Sequence, residues 1–419
     1  MNRAILSPAR LCGSVTVPPS KSAAHRAIFC AALARGESRL YHVADSEDMR
    51  ATLGAIQAMG AEVRREGDTL IVNSGGKWED EAEIDCGESG STLRFLIPIL
   101  TALGIRAELT GRGRLPYRPL DTYLECLPLH GAVLQSRGGL PLSIGGGLIP
   151  GEYALPGNIS SQFITGLLLA LPLLPGDSRI RLTTPLESAG YIDLTLAVLR
   201  DFGVEIRPVQ NGWDIPGWQQ FQPREYTVEG DWSQAAFFLA AGALGGALSI
   251  HGLRRDSAQG DRESADLFRR FGAQISWEGD ALTVSGAPLR GIEIDAAQIP
   301  DLVPVLAATA ALAGGRTVIT GAARLRLKES DRLDAMTKAL SALGAKITQQ
   351  PDGLVIDGVP QLSPGTAEGR NDHRVVMAVA VAALRGTAPT VITDAQSVAK
   401  SYPDFFAEYN RLGGKANVI

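Results

Sequence analysis

A helix that stops at a glycine, followed by a small residue and a strand, is written six times into this chain. The copies are Met59-Gly60-Ala61, His130-Gly131-Ala132, Phe202-Gly203-Val204, Phe271-Gly272-Ala273, Leu343-Gly344-Ala345 and Leu412-Gly413-Gly414. They recur roughly every 70 residues, so the fold is that of a repeated unit. After five of them comes a short hairpin, as at residues 62–72 and 274–284, where alternating apolar residues flank Gly67-Asp68 and Gly279-Asp280 turns. Each unit also carries an earlier, more apolar helix, at residues 27–34, 92–103, 163–171, 235–244, 302–313 and 375–384. A unit therefore reads strand, buried helix, strand, amphipathic helix, hairpin.

At 419 residues the chain is too long for one core. The best linker is Phe221-Gln222-Pro223-Arg224-Glu225, between the third and fourth units. The expectation is an α/β protein of two pseudo-symmetric domains, each of three βαβαββ units. One domain spans 14–224; the other spans 225–419 together with 1–13, whose strand joins it. With net charge −5 and no basic tail, the chain is not expected to bind nucleic acid. No apolar run is long enough to span a bilayer and no signal-peptide core precedes the first unit, so a cytoplasmic protein is expected. Cys12, Cys30, Cys86 and Cys126 show no pairing pattern, and the five histidines are scattered, so neither disulfides nor a metal site is expected.

The helix starts are unusual. A helix N-terminus carries partial positive charge and disfavours cations, by roughly 0.3–1 kcal/mol each. Yet the first buried helix opens with Ser20-Lys21-Ser22 and carries Arg26 on the face of Ser22. Others open with Gly87-Glu88-Ser89-Gly90-Ser91, Ser160-Ser161-Gln162, Asp301 and Asn371-Asp372-His373-Arg374. Amphipathic helices start near Arg118-Pro119, Ser188 to Tyr191, Lys328-Glu329-Ser330-Asp331-Arg332 and Lys400-Ser401. If the three units of a domain pack with helices parallel, these positive ends share a face, and two such faces can enclose a cleft for strong anions. The loop at 87–91 can cradle an oxyanion, but it is neither a P-loop nor a dinucleotide loop. Lys328 and Arg332, four apart, are read as sharing a helix face that keeps Glu329 ionised, and Asp301 as the cap of a fully buried helix.

These motifs together resemble the 5-enolpyruvylshikimate-3-phosphate synthase family, the 3-phosphoshikimate 1-carboxyvinyltransferases, across essentially the whole chain. The resemblance implies the enolpyruvyl transferase fold, an inside-out α/β barrel in each domain. It implies transfer of the enolpyruvyl group of phosphoenolpyruvate to the 5-hydroxyl of shikimate 3-phosphate, without cofactor, by a monomer. By resemblance Asp301 accepts the hydroxyl proton, Glu329 and Lys21 serve the methylene carbon and the leaving phosphate, and His373 assists. Lys21, Gly90, Arg118, Gln162, Arg332, Arg374 and Lys400 would hold phosphoenolpyruvate. Lys21, Ser22, Arg26, Ser160, Ser161, Gln162, Ser188, Tyr191, Asp301 and Lys328 would hold shikimate 3-phosphate.

Two positions depart from the family pattern. Glu88 stands where Asn is usual and is expected to point at a cation such as Arg118 or away; Arg324 stands where some members have Asn, and is given no contact. Gly90 is read as leaving room for the family's inhibitor glyphosate. The sister family that acts on UDP-N-acetylglucosamine is the alternative, but the loop Gly111-Arg112-Gly113-Arg114-Leu115-Pro116-Tyr117-Arg118-Pro119 lacks that family's Cys. A non-catalytic anion-binding relative is the other alternative.

Overall fold

Each repeat builds a buried helix, a second helix and most of a four-stranded sheet. In the computed structural model, which describes residues 2–419, the helices are α1 (Lys21–Leu33), α2 (Glu47–Ala58), α3 (Gly90–Leu103), α4 (Asp121–Cys126), α5 (Ser161–Ala170), α6 (Ala189–Asp201), α7 (Trp232–Ala243), α8 (Ser264–Phe271), α9 (Val303–Ala310), α10 (Arg332–Ser341), α11 (His373–Ala382) and α12 (Phe405–Arg411). The odd-numbered helices are the apolar ones. Every residue of α7, α9 and α11 is buried. The even-numbered helices bury one stripe: α8 turns Leu267, Phe268 and Phe271 inward and Arg269 and Arg270 outward, the 3.6-residue period of a surface helix.

The strands form six four-stranded sheets of one design. In one of them Glu81–Asp85 runs parallel to Arg106–Thr110, which is antiparallel to Leu142–Gly146, itself antiparallel to Ala132–Ser136. A parallel pair cannot be joined by a tight turn, so the buried helix makes the crossover and the hairpin completes the sheet. The last sheet lacks a hairpin of its own. Strand Arg3–Ser7 takes the missing place, between Thr390–Thr393 and Lys415–Val418. The six repeated glycines all adopt left-handed backbone, with φ of 107, 94, 79, 117, 82 and 100° at Gly60, Gly131, Gly203, Gly272, Gly344 and Gly413. Each follows an even-numbered helix, Gly131 by way of the 3-10 turn Leu127–His130, at a point where a side chain would be strained, which is why the signal repeats.

The chain folds as two compact units. One is Pro19–Glu229; the other comprises the described residues up to Pro18 and Gly230–Ile419. The joints therefore lie beyond the expected 13/14 and 224/225. Strand Cys12–Thr16 runs parallel to Ala247–His251, and Glu225–Thr227 runs parallel to Gly36–Tyr41. The opening strands of repeats one and four are thus exchanged, and the segment read as a linker leads into a sheet strand. No helix among the described residues is long and apolar enough to cross a membrane.

Gly166 lets α5 approach α3 closely. A methyl group there would collide with the Tyr123 hydroxyl and sit 2.5 Å from the backbone oxygen of Arg94. The Tyr123 hydroxyl cannot yield easily, because it donates to the Phe163 carbonyl at 2.7 Å. Alanine favours a helix by about 1 kcal/mol over glycine, whereas overpacking against backbone costs about 1–3 kcal/mol. Gly166→Ala should therefore destabilise the fold in urea unfolding, against the propensity trend; an equal or higher midpoint would contradict this packing.

Candidate active site

In the unit 19–229, α1 starts as its sequence demands: Ser20 Oγ accepts the Ala23 N–H at 3.3 Å. Lys21 Nζ lies 2.8 Å from Asp48 Oδ2, in the first turn of α2. Arg26 is 3% exposed and donates to the Ser22 carbonyl (2.7 Å), the Tyr191 carbonyl (3.0 Å), Thr195 Oγ1 (2.7 Å) and Thr165 Oγ1 (3.3 Å). All four acceptors are neutral. Burial pulls this guanidinium down to about 10, and one of its five N–H groups remains.

Ser89 caps α3, its Oγ accepting the Thr92 N–H at 3.2 Å. The guanidinium of Arg118 lies directly over Gly90: a Cβ on Gly90 would stand 2.7 Å from Arg118 Cζ. Arg118 is buried, its Nε has no acceptor, and among the described residues no carboxylate pairs with it. Arg94, one turn into α3, donates to Gln162 Oε1 (2.8 Å) and the Pro119 carbonyl (2.9 Å), and its guanidinium carbon is 5.0 Å from the Phe163 ring centroid. Gln162 Nε2 in turn donates to Ser91 Oγ at 3.0 Å. The starts of α3 and α5 thus meet, with Ser160 capping α5 through the Gln162 N–H and Ser161 buried as its first residue. Ser188, buried just ahead of α6, holds φ of 59°, a strained value for a residue with a side chain. Tyr191 follows in the first turn.

The other unit organises its cations differently. Arg332, 1% exposed, is held by three carboxylates: Asp372 through Nε (2.9 Å) and Nη2 (3.3 Å), Asp301 through Nη1 (3.1 Å) and Glu329 through Nη2 (2.7 Å). Four bonds to carboxylates leave it one N–H. Burial opposes its charge, but Asp372, Glu329 and Asp301 outweigh that and hold its pKa above the ordinary value. Burial likewise opposes ionisation of Asp372, and Arg332 reverses the balance, so this carboxyl titrates below the usual range. Asp301 also meets Arg374 Nη2 at 3.0 Å and Lys328 Nζ at 3.5 Å. Arg374 and the buried His373 open α11, and Lys400 Nζ donates to the Asn371 carbonyl at 2.6 Å. No cluster of His, Cys, Asp and Glu among the described residues could hold a metal.

Two expectations change here, those for Asp301 and Lys328. Asp301 lies in a short 3-10 turn, Pro300–Leu302, so the N-cap position of α9 falls to Leu302, and the Asp301 oxygens meet Lys328, Arg332 and Arg374. Lys328 ends another 3-10 turn, ahead of the Asp331 that caps α10, so it shares no helix face with Arg332; the two meet through Asp301. A side chain at Gly90 would meet the Arg118 guanidinium. Glu88 packs its carboxylate against Gly113, in the loop that leads to Arg118. Arg324 is buried and donates to the Ala297 carbonyl. Sequence reasoning assigned no role to Arg94, Asp48 or Asp372. For Arg94 the signal was present, since Gly90 and Arg94 repeat the four-residue spacing of Ser22 and Arg26; the pairing of Asp48 and Asp372 with cations far along the chain left none.

The family model described as EPSP synthase (3-phosphoshikimate 1-carboxyvinyltransferase) matches residues 5–409. A 3-phosphoshikimate 1-carboxyvinyltransferase of Clostridioides difficile (strain 630) is 44% identical over 97% of both chains, and one of Clostridium perfringens (strain ATCC 13124) is 45% identical over 99% of both. The EPSP synthase of Acinetobacter baumannii superposes with a TM-score of 0.83 at 28% identity, covering both chains completely. The enolpyruvyl transferase NikO of Streptomyces tendae, at 22% identity and a TM-score of 0.80, shares the fold. Two units of three repeats with cationic helix starts are thus the architecture of an enolpyruvyl transferase. Within that class the chain belongs to the EPSP synthase family, and it is an enzyme.

His25 lies beside these groups, 1% exposed. Burial, then the charges of Lys21 and Arg26, holds its pKa well below 6.5. The unfolded chain therefore binds a proton that the folded chain refuses, and stability is present above 6.5 and lost as pH falls below it. Relative to His25→Asn, the wild type should lose up to about 1.4 kcal/mol per pH unit below that point. Parallel stability profiles for the two proteins would refute it.

Proposed function

We propose that the chain transfers the enolpyruvyl group of phosphoenolpyruvate to the 5-hydroxyl of shikimate 3-phosphate, releasing phosphate on the route to chorismate and the aromatic amino acids. The observation that carries this reading is a contrast. Arg26 and Arg118 are buried cations without carboxylate partners, while Asp301 and Glu329 are carboxylates gathered by cations. A buried charge costs several kcal/mol unless countered, so the first pair suits phosphate-bearing anions. The second pair suits proton transfer, for which an anion-binding protein has no need.

The 5-hydroxyl oxygen attacks C2 of phosphoenolpyruvate while its proton passes to Asp301 and another proton is added to the methylene carbon. The resulting ketal phosphate loses phosphate and a methyl proton, which restores the enol ether. Glu329 and Lys21 serve the carbon and the leaving phosphate, with His373 beside them. Shikimate 3-phosphate is held by Lys21, Ser22, Ser160, Ser161, Gln162, Ser188, Tyr191 and Lys328, with Arg26 contributing mainly charge. Phosphoenolpyruvate is held by Lys21, the N–H groups at Gly90, Arg118, Gln162, Arg374 and Lys400. Substrate anions arriving at Lys328 and Arg374 compete with Asp301 for those cations, which leaves its oxygens to accept the hydroxyl proton. The enzyme acts as a cytoplasmic monomer without cofactor.

Purified protein should release phosphate from phosphoenolpyruvate with shikimate 3-phosphate and not with UDP-N-acetylglucosamine. Asp301→Asn should lower kcat by roughly 100-fold or more, the usual worth of a general base. Arg118→Lys should raise KM for phosphoenolpyruvate by roughly tenfold, because the ammonium loses the forked bonds to an oxyanion. Phosphate release with the nucleotide sugar alone would assign the chain to the sister reaction, and silence with both acceptors would leave only an anion-binding role.

A further inference from the structure

Two adjacent residues of α1 are each held by a pair of threonines, and the two pairs are built alike. His25 Nδ1 lies 2.8 Å from Thr52 Oγ1 on α2, which lies 2.7 Å from Thr92 Oγ1 on α3. Arg26 Nε donates to Thr195 Oγ1 on α6 at 2.7 Å, and that oxygen lies 2.9 Å from Thr165 Oγ1 on α5. In both pairs the threonine on the amphipathic helix also bonds back to the carbonyl four residues earlier, Thr52 to Asp48 (3.2 Å) and Thr195 to Tyr191 (2.8 Å). All four threonines are fully buried. Valine would fill the same space without hydroxyls to satisfy, so packing alone does not call for this arrangement.

The branches lead to different groups. Thr92 Oγ1 continues to Ser89 Oγ at 2.7 Å, the cap that precedes Gly90 and the overlying Arg118. Thr195 and Thr165 end on Arg26 and on the Tyr191 carbonyl, beside the strained Ser188. We propose that the threonine pairs are separate positioning devices for the two substrates. Thr52 and Thr92 set the start of α3 against α1 and so shape the phosphoenolpyruvate site. Thr165 and Thr195 set Arg26 and the start of α6 and so shape the shikimate 3-phosphate site. The inference rests on the substrate assignment proposed above.

Steady-state kinetics on valine and serine variants of the intact enzyme test it. Thr52→Val should raise KM for phosphoenolpyruvate roughly tenfold while KM for shikimate 3-phosphate stays within about twofold, the scale of one lost buried hydrogen bond. Thr195→Val should do the reverse, and Thr52→Ser and Thr195→Ser should return both constants to within about twofold of wild type. If a valine variant does not fold by circular dichroism, alanine at that position carries the same expectation. Two KM values that rise together, folded variants with neither changed, or serine variants as impaired as valine would overturn the proposal. Arg118→Lys in the same assay separates the two levels. If it leaves KM for phosphoenolpyruvate unchanged, the substrate assignment fails; if it raises KM and Thr52→Val does not, only the positioning role fails.

Discussion

The guanidinium of Arg332 is buried among carboxylates from three separate segments, Asp301, Glu329 and Asp372, and much of its unit is arranged by that requirement. Such a charge is tolerated only when its donors are met in good geometry, and removing one partner commonly costs about 3–5 kcal/mol. Meeting it brings the turn before α9, the segment before α10 and the cap of α11 to one place. Arg374 and Lys328 then join through Asp301. The other unit, built from the same repeats, answers its buried cations with hydroxyls and carbonyls. Arg26 has four neutral acceptors, and Arg118 is left with none at Nε.

One fold thus carries two electrostatic solutions, and the helix ends explain why both arise. The first turns of α1, α3, α5 and α11 carry or receive cations where the dipole opposes them. In α11 the cost is offset by Asp372, which caps the helix through the Arg374 N–H at 3.0 Å and binds Arg332 with the same carboxylate. In α1 and α3 the caps are Ser20 and Ser89, which satisfy N–H groups but bring no charge. A carboxylate cap gathers cations and, through them, further carboxylates; a hydroxyl cap adds no negative charge and leaves the positive end of the helix uncompensated.

The architecture was legible because its cause is local. A helix ending in left-handed backbone selects glycine, so six such ends left six glycines in the sequence, and the periods of 3.6 and 2 supplied the elements between them. The unit boundaries were less legible, since the exchange of Cys12–Thr16 and Glu225–Thr227 depends on pairing with strands far along the chain, which no local pattern records. The candidate site divided in the same way. Ser20, Lys21 and Ser160 could be placed from helix-start chemistry. That Asp301 meets cations from one turn ahead of α9, and that Lys328 meets Arg332 through it, depends on two 3-10 turns, Pro300–Leu302 and Ala323–Leu327, which local sequence does not separate from the α-helices that follow.

Glu88 shows how a departure at the site is absorbed nearby. A carboxylate just before a helix start is favoured by the dipole, yet at the α3 start it would occupy the free N–H groups and draw Arg118 to itself. Its carboxylate lies instead against Gly113, so close that a Cβ there would stand 2.5 Å from Glu88 Cδ. Gly113 also holds φ of 62°, so the position excludes a side chain on two independent grounds. The acidic residue ahead of the cap and the glycine in the Arg118 loop are therefore one feature: Glu88 is accommodated because position 113 has no side chain, and Arg118 keeps its place over Gly90.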